Sequence, residues 1–320
     1  MMENLLIPPP PWVGRMDGTS SHHLRWHQAV SPLRDGAEPG ACVFIGFSSD
    51  EGVERNKGRR GASRGPDALR SALSSMALAE PLRAYDAGTV AVTDNRLESG
   101  QEALGAVVAA TLDAGQFPVV LGGGHEVAFG TYLGLAQAAV RTPRKRVGIL
   151  NLDAHFDLRS DPVPSSGTPF RQILEREHAA GTTLQYSVLG ISQPSNTTAL
   201  FDTARGYDVR YLLDDECSVS DRHRVAVFVS EFLSDVDLVY LTIDLDVLPA
   251  AVAPGVSAPA AYGVPAETIQ FVCDAVAASG KLAVVDVAEL NPSFDIDNRT
   301  ARTAARFIHR IATKRIPIVG

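Results

Sequence analysis

The chain has 320 residues, of which 45% are hydrophobic and 21% charged, a composition typical of a globular protein with a sizeable core. Its 37 acidic residues outnumber the 29 basic ones, and the resulting net charge of −8 argues against nucleic acid and anionic membranes as partners. No apolar run approaches the roughly 18 residues of a membrane-spanning helix, so no membrane partner is expected.

The N-terminal region is rich in proline, glycine and histidine, and we expect an irregular extension over residues 1–40 before a single domain over 41–320. The start MMENLLIPPPP lacks the basic residues and the longer apolar core of a secretory signal. The cysteines Cys42, Cys217 and Cys273 lie far apart and suggest neither a disulfide framework nor a thiolate metal site. A cytoplasmic location is therefore expected.

Seven short apolar runs predict buried strands. They are almost continuously apolar, as in parallel strands that are covered on both faces. Stretches with helical periodicity lie between them, and this alternation predicts a parallel sheet with helices on both faces. The strands are expected at 42–47, 118–121, 146–152, 186–191, 209–213, 238–243 and 282–287. The helices are expected at 66–78, 101–114, 126–139, 169–179, 225–233, 265–278 and 298–313.

Potential metal ligands follow three of the predicted strands. Ligands of open parallel sheets bind beyond the carboxyl ends of the strands. Residues two apart on an extended chain also point to the same side, so the paired ligands of DAH and DLD can project together. The candidate ligands are His125 in GGGHE, Asp153, His155 and Asp157 in NLDAHFD, and Asp244 and Asp246 in TIDLDVL.

Four carboxylates and two imidazoles at one dry edge of a sheet would be unfavourable without compensating cations. Two divalent ions remove this conflict, and bridging carboxylates would hold them about 3.5 Å apart. Ligands that are mostly oxygen with some imidazole favour manganese, while zinc, iron and cobalt stay open as alternatives.

These motifs resemble the metal-binding blocks of the ureohydrolase (arginase/agmatinase) family. GGGHE, NLDAHFD and TIDLDVLPAAVAPGVSAP match three blocks, VVDVAELNP matches a fourth, and the likeness runs from about Gly46 to the C-terminal helix. The resemblance implies an arginase-like three-layer α/β fold, a single domain around an eight-stranded parallel sheet with helices on both faces. It also implies two Mn(II) ions per subunit and a homo-oligomer, either a trimer or a hexamer.

The resemblance further assigns a role to each residue. Asp153 and Asp244 would bridge the two metals. Asp157 would also aim the attacking hydroxide, and Glu289 would bind the cationic nitrogen of the substrate as the second catalytic residue. The remaining ligands would be His125 and Asp157 for one metal, and His155 and Asp246 for the other.

Two further blocks resemble the formimidoylglutamase branch of the family more than arginases or agmatinases. They are GVERNKGRRGASRGP at 52–66 and SSGTPFRQIL at 165–174. Where arginases and agmatinases carry a proton-transfer histidine, this chain has Ser166. The resemblance therefore implies a small-molecule substrate, N-formimidoyl-L-glutamate, which is hydrolysed to L-glutamate and formamide during histidine degradation. A metal-bridging hydroxide would attack the formimino carbon.

Such a substrate carries two carboxylates, and arginine is a planar, two-pronged partner for that group. We expect Arg59 to bind the substrate with Arg55 and Asn56 behind it, and Ser166 to be a further substrate-binding candidate; the alternative is a solvated basic loop.

Three other functions stay open: an agmatinase or guanidino-acid hydrolase that releases urea, a regulatory relative without activity, and a metal-dependent deacetylase on a related fold. The intact ligand set and Glu289 argue against the regulatory relative.

Overall fold

A computed structural model describes residues 5–318, and a ten-stranded sheet runs through this part of the chain. The order across the sheet is β1-β4-β3-β5-β10-β9-β6-β7-β8, with β2 also paired to β4. The strands are β1 Leu6–Ile7, β2 Val30–Pro32, β3 Cys42–Ser48, β4 Ala84–Ala91, β5 Phe117–Leu121, β6 Val147–Leu152, β7 Leu184–Ile191, β8 Arg210–Leu213, β9 Leu238–Asp244 and β10 Leu282–Ala288.

Strands β3 to β10 are parallel and form the eight-stranded sheet that the family resemblance implies. The expected number of eight strands is nevertheless too low for residues 5–318, because the N-terminal segment adds two short strands at the outer edge of β4. Of these, β1 is antiparallel to β4 and β2 is parallel to it.

All seven strands predicted from apolar runs are present, with ends shifted by at most two residues. Besides the short β1 and β2, the one strand that was missed is β4, whose second half alternates between buried and partly exposed side chains. Its Gly88 has a left-handed φ of 97° and lies against Ile7, where a Cβ would be 2.1 Å from the carbonyl oxygen. Neither feature resembles a continuous apolar run.

Helices cover both faces of the sheet and bury two separate apolar layers. One face is covered by α3, α8, α9 and α10, and the other by α4, α5 and α6. The seven longer helices were predicted, whereas α1, α2 and α7 were not. The helices are α1 Trp26–Ala29, α2 Glu51–Arg55, α3 Gly65–Ser74, α4 Leu97–Asp113, α5 Val127–Gln137, α6 Pro169–Ala179, α7 Thr198–Gly206, α8 Arg222–Asp235, α9 Ala266–Ala277 and α10 Arg299–Lys314.

Strands β5, β10, β9 and β6 are consecutive neighbours in the middle of the sheet. Since they are parallel, the segments that follow them leave the same edge of the sheet, where ligands bind in folds of this kind. No helix among residues 5–318 is both long and apolar enough to cross a bilayer. The division into an extension at 1–40 and a domain at 41–320 stays a prediction, and its residues 1–4 and 319–320 lie outside the described part.

Candidate metal centre

The segments after β5, β6 and β9 bring the six predicted metal ligands together. Five of them form two groups of three, within each of which the ligand atoms lie within 4.8 Å of one another. The sixth, Asp244, lies 3.0 Å from His125 Nδ1. Both groups contain Asp153, which is completely buried. The first group adds His125 and Asp157, and the second adds His155 and Asp246.

His125 is the centre of the first group. The distances from its Nδ1 atom are 3.1 Å to Asp153 Oδ2, 3.0 Å to Asp157 Oδ2 and 3.0 Å to Asp244 Oδ2. Its other ring nitrogen, Nε2, lies 3.0 Å from the Thr242 hydroxyl. This contact turns Nδ1 toward the carboxylates, as the outer partner of a metal-binding histidine does.

His155 is the centre of the second group. Its Nδ1 atom lies 3.0 Å from Asp246 Oδ2 and 3.5 Å from Asp153 Oδ1. Asp153 therefore presents one carboxylate oxygen to each histidine. This arrangement is the one that a bridging carboxylate between two cations requires.

The two strand ends share one local geometry. Asp153 Oδ1 accepts a hydrogen bond from the backbone N–H of His155 at 2.7 Å, and Asp244 Oδ1 accepts one from Asp246 at 2.8 Å. A carboxylate that bonds the backbone two residues ahead turns the chain sharply and fixes its own orientation. The DxH and DxD spacings thus direct both ligands of each pair into one space.

Two predicted catalytic residues have strained backbones. Asp157 has a φ of 49° and Glu289 a φ of 67°, both in the left-handed region. Residues other than glycine rarely adopt this conformation, and such strain concentrates at functional sites.

The carboxylates of the cluster repel one another. Burial, together with the charge of Asp153, raises the pKa of Asp157 to about 6. Burial and the charges of Asp246 and Asp153 raise the pKa of Asp244 well above its usual value. The cluster thus concentrates more negative charge than the protein around it readily accommodates.

The two imidazoles compensate only part of this charge. Burial by itself lowers the pKa of His125, but the three carboxylates next to its Nδ1 raise the pKa well above 6.5. Burial likewise opposes protonation of His155, yet the charge of Asp246 and the nearby hydrogen bonds raise its pKa well above 6.5. Since at most two positive charges face four carboxylates, oxygen-rich donors in two adjoining groups fit a pair of divalent cations such as manganese.

Glu289 lies beside the cluster on the segment after β10. Its Oε1 atom accepts a hydrogen bond from the backbone N–H of His125 at 2.8 Å. Burial and the nearby charge of Glu126 raise the pKa of Glu289 to about 8. Glu126 in turn accepts hydrogen bonds from the Ser49 hydroxyl at 2.7 Å and the Gly52 N–H at 2.9 Å, and so holds the start of α2 against the site.

A cavity of about 340 Å³ opens over the cluster and is lined by residues from α2 and the loops at the carboxyl edge. Among the predicted substrate-binding residues, Arg59, Asn56 and Ser166 line it. Asn56 Nδ2 donates a hydrogen bond to the Ser166 hydroxyl at 3.1 Å. Arg55 is not part of the lining: its guanidinium bonds Glu51, Glu98 and the carbonyls of Asn95 and Pro164.

Several cavity residues were not predicted. Arg159 lies two residues after Asp157, so the same two-residue spacing that identified the ligands could have identified it. Lys57 lies within the loop that was singled out, but its left-handed φ of 61° gives no signal in the sequence. Ser195 and Asn196 follow β7 without a motif.

Comparisons with known proteins point to one family. The Arginase family model matches residues 40–313. The chain is 97% identical over 319 residues to a formimidoylglutamase of Rhodococcus opacus strain B4, which covers 100% of both chains. It is 93% identical over 318 residues to a formimidoylglutamase of Rhodococcus jostii strain RHA1, with 99% of each covered. A crystal structure of Trypanosoma cruzi formiminoglutamase with manganese superposes with a TM-score of 0.76 and 30% identity, covering 85% of this chain and 92% of that one.

Proposed function

Because the chain belongs to the arginase family, we propose that it hydrolyses N-formimidoyl-L-glutamate to L-glutamate and formamide. The observation that carries this proposal is the 97% identity to a formimidoylglutamase over the full length, combined with an intact ligand cluster. Ser166, at the place of the shuttle histidine of arginases and agmatinases, supports the same choice over a urea-releasing activity.

The chain is a metal-dependent hydrolase, and two Mn(II) ions per subunit suit its donor set. Asp153 and Asp244 would be the ligands that the two ions share. When bound, such a pair supplies hydroxide at neutral pH by lowering the pKa of water. The other ligands are His125 and Asp157 for one ion, and His155 and Asp246 for the other.

Asp157 and Glu289 act on the reacting groups. The Asp157 carboxylate would accept a hydrogen bond from the attacking hydroxide and orient its lone pair toward the formimino carbon. Glu289 Oε1 is held by the backbone of His125, while its Oε2 has no hydrogen-bond partner within residues 5–318. That oxygen is therefore free to bind the cationic formimino nitrogen and to keep the group planar and electron-poor.

The departing nitrogen of glutamate must gain a proton. Ser166 has no imidazole with which to deliver one, and its hydroxyl already receives a hydrogen bond from Asn56. The carrier is thus Asp157 or solvent. Arg59, Asn56 and Ser166 shape the wall of the substrate cavity, and Arg55 supports this wall from behind through its bond to the Pro164 carbonyl.

The proposal also covers the oligomeric state of the protein and its cellular location. We propose a homo-oligomer, a trimer or a hexamer, as the family resemblance implies. The three cysteines are all free and buried, which agrees with a reducing cytoplasm.

A substrate panel tests the activity. The purified protein is treated with a chelator, and product release from N-formimidoyl-L-glutamate, agmatine, arginine, guanidinobutyrate and an acetylated amine is measured with and without added manganese. We expect formamide from the first substrate alone, and only after manganese is restored. Urea without formamide would replace this function by that of an agmatinase or guanidino-acid hydrolase.

A further inference from the structure

The basic side chains of the substrate cavity differ in whether they already bind other groups of the protein. The proposed substrate, on which this inference rests, carries an α-carboxylate and a side-chain carboxylate, and each needs a positive partner when it leaves water. Besides the two histidines of the cluster, three basic side chains line the cavity, namely Lys57, Arg59 and Arg159.

Arg59 is occupied by the protein itself. Its Nε donates to the Ser257 carbonyl at 2.9 Å and its Nη2 to the Val256 carbonyl at 2.6 Å. The guanidinium also stacks on Phe294, with 3.8 Å from Cζ to the ring centroid. These contacts tie the loop after α2 to the segment at 256–257, so the guanidinium serves as a cross-link more than as a free anion receptor.

Arg159 is free by contrast. Its backbone N–H donates to the Gly167 carbonyl at 2.9 Å, but its guanidinium has no hydrogen bond or ion pair within residues 5–318. A Cβ at Gly167 would lie 2.7 Å from Arg159 Cδ and 3.2 Å from Asn56 Nδ2. The glycine therefore leaves room for Arg159 and Asn56 to lie side by side along one wall of the cavity.

Lys57 is the second free cation. Its backbone N–H donates to the Glu54 carbonyl at 2.8 Å, and the next residue, Gly58, donates to the Val53 carbonyl at 2.7 Å. These bonds hold the turn after α2 in place, while the Lys57 ammonium has no hydrogen bond or ion pair in the described part of the chain.

We propose that Arg159 binds the α-carboxylate of the substrate, that Lys57 binds the side-chain carboxylate, and that together they select N-substituted acidic amino acids. Arg159 leaves the chain two residues after Asp157, so their Cα atoms are at most about 7.6 Å apart. The α-carboxyl carbon is only two bonds from the nitrogen that departs. The arginine nearest the reacting end therefore matches the α-carboxylate, and its fork can bind both oxygens.

Three substrates separate the two assignments. N-Formimidoyl-L-glutamate has both carboxylates, N-formimidoylglycine keeps only the α-carboxylate, and N-formimidoyl-4-aminobutyrate keeps only the distal one. Each is assayed with the manganese-loaded parent and with the Arg159→Met and Lys57→Met variants. Arg171→Met is the control, because this arginine lies on α6, pairs with Glu175 and is not part of the cavity lining.

The two variants should give reciprocal patterns. Arg159→Met should raise KM for N-formimidoyl-L-glutamate and N-formimidoylglycine by roughly 10- to 100-fold, the loss expected for a charge-assisted hydrogen bond. It should leave KM for N-formimidoyl-4-aminobutyrate within about twofold. Lys57→Met should affect N-formimidoyl-L-glutamate and N-formimidoyl-4-aminobutyrate but spare N-formimidoylglycine. L-Glutamate, tested as a competitive inhibitor, should bind more weakly to both variants.

Equal losses on all three substrates, the opposite pattern, or unchanged KM values would overturn the assignment. Manganese content and thermal midpoint equal to those of the parent verify that each variant is folded and loaded. If the parent itself releases no formamide from N-formimidoyl-L-glutamate, the proposed function fails instead. The two failures are therefore distinguishable.

Discussion

Two regions of the molecule bury carboxylates in opposite ways. In the first, Asp86 on β4 accepts hydrogen bonds from Arg70 Nε at 2.8 Å and Nη2 at 3.0 Å, from Trp12 Nε1 at 2.7 Å and from the Gly88 N–H at 2.8 Å. Arg70 and Asp86 are only 3% and 1% exposed. In the second region, the cluster around Asp153, four carboxylates meet with only two imidazoles between them.

The difference shows that a buried carboxylate can serve either the stability of the fold or the function of a site. The Asp86 carboxylate is neutralised within the chain and has a donor for each oxygen, so the pair serves the fold. The Asp153 cluster has surplus negative charge, and its protein donors do not balance it. A buried site with unbalanced charge is one built to receive cations from outside.

The largest effect is expected from Asp244→Asn in the cluster. The amide removes a bridging ligand and should reduce both manganese content and kcat/KM. A metal pair contributes several kcal/mol to transition-state stabilisation, so we expect a loss on the order of 10³-fold or more in kcat/KM. Metal analysis and steady-state kinetics measure both quantities.

The same variant tests whether the carboxylates of the cluster, unlike Asp86, destabilise the metal-free fold. Because Asn carries no charge, it relieves repulsion, and after chelation the thermal midpoint of Asp244→Asn should be at least equal to that of the chelated parent. A lower midpoint by several degrees would mean that Asp244 supports the fold as Asp86 does.

A smaller but still large effect is expected from Arg70→Met. It leaves the Asp86 carboxylate buried beside Trp12 without its cation, which should lower the free energy of unfolding by about 3–5 kcal/mol. Urea denaturation of the parent and variant measures this change. Manganese binding at the distant carboxyl edge should be unaffected in the folded fraction.

Asp67→Asn is the matched control. Asp67 lies 3.4 Å from Arg70 Nη1, but its side chain is 78% exposed. An exposed carboxylate contributes little to an ion pair, so this change should alter the free energy of unfolding by less than about 0.5 kcal/mol. A loss comparable to that of Arg70→Met would show that burial is not what distinguishes the two partners.

The smallest effect concerns a partly buried polar contact that depends on pH. Trp26 Nε1 donates to His309 Nδ1 at 3.0 Å, which requires that nitrogen to be deprotonated. Burial, with the charges of Arg306 and Arg310, lowers the pKa of His309 below 6.5. The unfolded chain therefore takes up this proton first as the pH falls. The stability that the contact contributes is fully present above about pH 6.5 and is lost as the pH drops through the folded pKa.

The measurement compares the parent with His309→Gln, which keeps an acceptor but does not titrate. The free energy of unfolding, with manganese present, is determined at pH 7.5 and at pH 5.5. The parent should lose more stability than the variant over this interval. Parallel changes in the two proteins would rule out His309 as the titrating group.

Much of the fold could be predicted because its signals are local. The continuous apolar runs of strands such as β6 and β9 report burial on both faces, and the DAH and DLD spacings lie directly at their ends. Strand β4 could not be found in this way because it lies near the edge of the sheet and receives β1 and β2 from a distant segment. Helix α7 has only nine residues, of which Ala204 is buried while Leu200 and Phe201 are partly buried, so its apolar signal is short.

The substrate cavity was less predictable than the ligand cluster. Arg55 occurs in a basic segment that suggests anion binding, but its partner Glu98 lies 43 residues away and takes up its charge. Arg59 is bound by carbonyls about 197 residues further along the chain. Which cations remain free is decided by such tertiary contacts, and a single sequence does not reveal them.

The two N-terminal strands β1 and β2 also protect the enzyme against self-association through the edge of its sheet. The outer edge of β4 would otherwise present unpaired backbone amides and carbonyls, onto which a strand of another molecule could add. By occupying Ala84–Asp86 and Thr89–Val90, strands β2 and β1 close this edge. Proteolytic removal of the N-terminal segment that contains β1 and β2 should therefore cause self-association, which light scattering would detect. Every metal ligand would still be present in the shortened protein.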